Sequence, residues 1–172
     1  MNTIHISPPL KETLKKIKDY CRTHKKSIAT AESVTAGCIQ LLLSTAPEAQ
    51  QFFQGGITVY NCAQKAIHLN IDPIFAERCN AVDPSVADRM ATEVCRLFRS
   101  EIGVSVTGYA TRVPEEGIND LFAYTAIAVD GVIVFRKKIN CDKEGIEAQE
   151  YYATKVIQLI SEVLNEKENI QS

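Results

Sequence analysis

The sequence predicts an α/β fold, a single three-layer α/β/α domain with a mixed, mostly parallel central sheet. Three observations carry this. Helical and strand patterns alternate through the first two-thirds of the chain, the order that builds parallel strands through helical crossovers. Two alternating apolar segments, 122–129 and 132–139, then flank Asp130-Gly131, a dipeptide suited to a tight antiparallel hairpin. An amphipathic segment, 144–165, follows as a final helix.

Each element has its own signal. Ser7-Pro8-Pro9 suits a helix start, and Leu10, Leu14, Ile17 and Cys21 recur at helical spacing with lysines between them. Residues 26–31 read as a short strand, and Thr35 to Ser44 as an apolar helix buried on most of its surface. Ala46-Pro47-Glu48 breaks that helix, and 55–61 is a second strand opened by Gly55 and Gly56. Ala63 to Leu69 reads as a short helix. Asp83 then stands as an N-cap with Pro84 at the first helical position, ahead of the stripe Val86, Met90, Val94 and Leu97. A compact strand at 102–108 ends in Thr107-Gly108, and the loop 109–120 carries Pro114, Gly117 and three acidic residues. In the final helix Ala148, Tyr152, Val156, Leu159 and Val163 share a face. The domain is expected to span 1–172, with frayed tails at 1–9 and 166–172.

Composition narrows the function classes. Apolar residues make up 45% and charged residues 23%, the balance of an ordinary globular domain. A net charge of −2 provides no field to attract nucleic acid or an anionic membrane, so neither partner is expected. No apolar run approaches the roughly 18 residues of a membrane span. The N-terminal residues lack the apolar core of a signal peptide, so the expected location is cytoplasmic. The six cysteines include no C-x-x-C pair, which points to reduced thiols rather than a metal site or disulfide framework.

In sheets of this kind ligands bind beyond the carboxyl ends of the strands. Three expected strands end there in polar residues: Glu32, Ser33 and Thr35 after the first, Tyr60 and Lys65 after the second, Thr107 and Gly108 at the third. A serine hydroxyl beside a lysine or tyrosine is a workable nucleophile with its proton acceptor. Free N–H groups at a helix start near 34–37 favour a phosphate or an oxyanion. Each residue also has a purely structural reading. Ser33 suits an N-cap, Glu32 an exposed or ion-paired carboxylate, Tyr60 a core aromatic, Lys65 a solvated helix face and Thr107 a simple strand former. His5, His24 and His68 are read as structural.

The motifs, taken in order, resemble the CinA C-terminal domain family over about residues 10–163. The signature AESxTGG stands here as 31-AESVTAG-37, and F-x-x-G-x-x-x-Y-x-N-x-x-K is similar to 53-FQGGITVYNCAQK-65. The segments 80-NAVDPSVAD-88 and 106-VTGYA-110 match two further family motifs. The resemblance implies the same three-layer fold, a homodimer, and hydrolysis of nicotinamide mononucleotide to nicotinate mononucleotide and ammonia without a metal or cofactor. It casts Ser33 as nucleophile and Lys65 as its activating partner. Tyr60 and Thr107 would line the pocket, Thr35 and Gly37 would lie at the phosphate or amide end, and Glu32 and Gly108 belong to the same motifs.

The sequence departs from the family pattern in three places. Ala36 replaces the first glycine of the signature. The glycine-rich loop that follows T-G-x-A is replaced by 111-TRVPEEGINDLFAY-124, in which Arg112 is the one available cation. Glu147 falls where the family keeps an arginine. Two readings follow: an amidohydrolase with an altered specificity loop, acting on a pyridine mononucleotide or another small amide, and an inactive homologue that binds a nucleotide-like ligand or a protein partner.

Overall fold

The computed structural model describes residues 6–171, so His5 and the first five positions of the expected N-terminal tail lie outside the described residues. The first half of the chain runs α1 (Pro8–His24), β1 (Ile28–Glu32), α2 (Cys38–Ser44), β2 (Phe53–Thr58), α3 (Cys62–Leu69) and α4 (Pro73–Arg78). It continues through α5 (Pro84–Phe98), β3 (Ile102–Gly108), β4 (Leu121–Val129), β5 (Val132–Cys141) and α6 (Ile146–Gln171). The five strands lie in the order β2-β1-β3-β4-β5. The first three are parallel, and β4 and β5 join antiparallel. This is the mixed α/β/α sandwich that the alternation of patterns predicts.

Each layer follows from its apolar faces. On one side α1, α2 and α6 pack together over the sheet through Leu14, Ile17, Ile39, Leu43, Tyr152 and Ile160, all at most 1% exposed. On the other side α5 lies along β3, carrying two stripes. Val86, Met90 and Val94 join the core beneath β1, while the small side chains Ala87, Ala91 and Cys95 face β3 and β4. Leu97, expected on the buried stripe, is 49% exposed, and Phe98 packs against that core instead.

The β4–β5 hairpin turns at Asp130 and Gly131, whose φ values of 53° and 78° are the left-handed pair such a two-residue turn needs.

Several boundaries differ from the sequence reading, and β2 spans Phe53–Thr58 rather than 55–61. α2 begins at Cys38 rather than Thr35, because residues 33–37 form a turn in which Ala36 and Gly37 both take positive φ. α4 went unrecognised, although Asp72-Pro73 repeats the signal of Asp83-Pro84. The Asp72 carboxylate accepts from the N–H groups of Ile74 and Phe75. α6 runs to Gln171, past the expected end of the helix at 165, and its buried face continues through Val163 and Leu164.

The register sets the site. Glu32 at the end of β1 pairs with Thr58 of β2 and with Val106 of β3, so the three parallel strands end level. β1 connects to β2 on one side and pairs with β3 on the other. The chain therefore departs in opposite directions at the β1/β3 boundary, and this leaves a crevice beyond the strand ends.

Candidate functional site

The turn after β1 is organised by a carboxylate, not by the serine. Glu32 is fully buried and gathers the free donors of α2. It accepts from the Thr35 hydroxyl and from the N–H groups of Gly37 (3.1 Å), Ile39 (3.1 Å) and Gln40 (2.8 Å). A carboxylate placed on helix N-terminal amides satisfies the orphan donors and opposes the helix dipole. Ser33 therefore does not cap the helix, as its position first suggests. Its own N–H donates to Val106 O at 3.0 Å, which ties the residue to β3 and leaves the hydroxyl free to face the crevice. Ala36 sits at φ 51°, a conformation that costs a non-glycine residue roughly 1 kcal/mol.

Lys65 approaches from the other side of the crevice. Asn61 caps α3, its Oδ1 accepting from Gln64 N–H at 2.9 Å, and one turn later the Lys65 side chain runs inward. Its Nζ donates to Ser33 Oγ at 2.8 Å and to Val59 O at 2.8 Å, and the residue is 1% exposed. No carboxylate pairs with it among the described residues. Burial lowers the ammonium to about 8, since desolvation penalises the charged form and the charge of Cys62 offsets it only in part. A lysine on a short surface helix reads as solvated; here the depth of the crevice overrides that expectation.

Together these residues border a cavity of 420 Å³. Ser33, Tyr60, Lys65, Thr107 and Gly108 all line it. Tyr60 lies just past β2 and is 67% exposed, a rim residue rather than a core aromatic. The Thr107 hydroxyl donates to Ala81 O at 2.8 Å and fastens β3 to the segment between α4 and α5.

The other expected residues lie elsewhere. Glu32 and Thr35 are wholly buried behind the wall, spent on each other and on α2, and Gly37 serves as the N-cap position of that helix. None of the three is among the residues that line the cavity. Arg112 is exposed and turned outward. Its backbone N–H and guanidinium donate to Glu144, and its Nε donates to Asn119 O. Glu147 stands in the first turn of α6 and also lies outside the cavity wall. His24 stacks on Tyr20 and His68 bonds Gln64, both away from the cavity.

The lining also includes Asn80 and Tyr109, which are not among the residues expected at the site, and Glu116 of the acidic loop. Tyr109 follows directly on Thr107-Gly108 and was within reach of the motif. Asn80 comes in only because Asn80 and Ala81 take φ values of 49° and 53°. Glu116 comes in because Val113 and Ile118 pair in a small antiparallel bridge that folds the loop back. Neither event has a local signal in the chain.

The match to known proteins agrees with this arrangement. A model described as the CinA C-terminal domain fits residues 10–164, a span that includes every wall of the cavity. The chain belongs to the CinA C-terminal domain family.

Within the family the domain is 32% identical over 145 residues to a protein of Alkaliphilus oremlandii (strain OhILAs) named among the competence-damage inducible proteins. That match covers 82% of this chain and 34% of the relative. A CinA-like protein of Synechocystis sp. is 34% identical over 89 residues, which is 52% of this chain and 21% of that one. The chain thus spans at most about a third of the length of these curated relatives. The fold recurs in a solved CinA superfamily structure from Klebsiella pneumoniae 700603, with a TM-score of 0.84 at 18% identity, covering 91% of this chain and 98% of that one. A competence/damage inducible protein from Agrobacterium tumefaciens superposes with a TM-score of 0.80 at 17% identity, covering 94% and 99%.

The domain has further limits as a site. Its six cysteines are all free thiols. Among the described residues no cluster of His, Cys, Asp or Glu is arranged to hold a metal, and no helix is long and apolar enough to cross a membrane.

Proposed function

We propose that the chain hydrolyses a small carboxamide, with Ser33 as nucleophile and Lys65 as its proton acceptor. The observation that carries this is the 2.8 Å contact between Lys65 Nζ and Ser33 Oγ in a buried site without a counterion. A lysine lowered to about 8 is partly neutral near physiological pH, and a neutral amine can take the hydroxyl proton. Ser33 Oγ attacks the carboxamide carbon as its proton passes to Lys65. Val34 lines the same cavity, and its backbone N–H, which has no partner among the described residues, would serve as a donor for the oxyanion. Collapse of the tetrahedral species breaks the C–N bond, and Lys65 returns its proton to the departing ammonia. Water then attacks the seryl ester, again with Lys65 as base, to release the carboxylate and restore Ser33.

The family resemblance makes a pyridine mononucleotide the first substrate to try. Ammonia release from nicotinamide mononucleotide, or from the same nucleoside without its phosphate, is expected to fall at least 100-fold in Ser33→Ala and in Lys65→Ala, in line with loss of a nucleophile or base. Turnover at the native rate in both variants overturns the assignment. A second reading, an inactive homologue that binds a nucleotide-like ligand or a protein partner, draws on the altered loop 111–124 and on Glu147, which stand where the family keeps a glycine-rich loop and an arginine. Saturable binding of the mononucleotide with no ammonia released would select it. A cytoplasmic homodimer is the proposed setting, and light scattering on the purified chain tests the dimer.

A further inference from the structure

Resting on the amidohydrolase reading, we infer that the site selects a carboxamide whose far end is cationic or neutral and rejects a phosphorylated one, with Glu116 as the specificity-determining residue.

The charges around the cavity decide this. Among the described residues the wall contains one cation, Lys65, and one anion, Glu116. Lys65 lies at the floor, 1% exposed and committed to Ser33 Oγ and Val59 O. Glu116 is exposed at the mouth and has no ion-pair partner among the described residues. The cation that could have balanced it, Arg112, is held outside by Glu144 and Asn119 O. Glu115 and Asp120 add to the negative loop. A phosphate carries between one and two negative charges near neutral pH and is recognised through arginine, lysine or helix amides. Here its approach to the reacting end passes an unpaired carboxylate.

Two tyrosines complete the mouth. Tyr60 is 67% exposed on one wall, and Tyr109 lines the cavity and meets Phe122 edge-on. Burial raises the Tyr109 hydroxyl above its ordinary value, and Tyr109 and Glu116 line the same cavity. Aromatic faces next to a carboxylate suit a flat cationic ring such as a pyridinium.

The test uses two probes, nicotinamide mononucleotide and the same pyridinium nucleoside without its 5′-phosphate. Binding is measured by calorimetry on Ser33→Ala, so that charge selection is read without turnover. Ammonia release is measured on the wild type and on Glu116→Gln and Glu116→Arg. The expected result is binding of the nucleoside at least about tenfold tighter than the mononucleotide. The preference should narrow in Glu116→Gln and reverse in Glu116→Arg, with the folds verified by circular dichroism. Tighter binding of the mononucleotide, a preference indifferent to Glu116, or no binding of either probe at millimolar concentration overturns the inference. Failure of the hydrolytic reading is separate: it shows as charge-selective binding to Ser33→Ala with no ammonia from the wild type.

Discussion

Glu32 and Lys65 are opposite solutions to the burial of a charge. Glu32 is surrounded by donors and holds α2 in place; Lys65 has a hydroxyl, a carbonyl and no anion. Removing Glu32 leaves three backbone N–H groups unpaired in a dry site, so Glu32→Ala is expected to cost at least about 3 kcal/mol. Glu32→Gln turns one acceptor into a donor facing other donors and should cost less, about 2 kcal/mol. Urea unfolding of the three proteins ranks them, and an alanine variant as stable as wild type would show that the α2 turn does not depend on this side chain. The same contrast makes a kinetic prediction for Lys65. If its neutral amine is the base, kcat/KM for any amide hydrolysed should climb with pH and level off above about 8. A profile flat from pH 6 to 9 would remove Lys65 from that role.

At the scale of elements, α5 and the sheet are brought close by small residues. A Cβ placed on Gly103 would lie 2.0 Å from Ala91 O and 2.5 Å from Cys95 Sγ, so only glycine lets this helix approach β3 at its present distance. Ser105 and Thr107 hold the same interface through hydrogen bonds to Ala87 O and Ala81 O. Gly103→Ala must push α5 outward by more than an ångström and is expected to cost about 3 kcal/mol, readable as a lowered midpoint in denaturant. Because Thr107 and Ala81 line the cavity from that interface, the variant should also lose activity. These packing facts also show what was legible in the chain. Asp83-Pro84 and Asp130-Gly131 specify a helix start and a hairpin locally, and both stand where the sequence puts them. The approach of Lys65 to Ser33 depends on two strands ending level across 32 residues of chain, so spacing could name the pair but not its burial. Capping by Glu32 instead of Ser33 hid for a related reason: either side chain could reach the amides, and the tie from Ser33 N–H to Val106 O decides between them.

For the whole molecule the buried ionisable groups set how stability depends on pH. Lys65 has its folded value lowered from 10.5 to about 8, so the unfolded chain binds more protons between those values and stability rises with pH through that window. At pH 7 the burial costs roughly 3 kcal/mol, a large share of the stability of a single domain. Burial acts on the thiols in the other direction. Cys21 is raised from 9.0 to about 12 and Cys95 from 9.0 to about 11, so above pH 9 the unfolded chain ionises first and stability falls. One group gains between 8 and 9 while the thiols are still protonated in both states; above 9 two losses outweigh one gain. The melting temperature of the wild type should therefore rise from pH 7 to a maximum near pH 9 and then decline. Lys65→Met has no lysine to relieve, and its melting temperature should stay level to pH 9 before the same decline. Parallel curves for the two proteins from pH 7 to 9 would mean that the ammonium is not penalised by burial, and the case for Lys65 as a base would lose its physical ground.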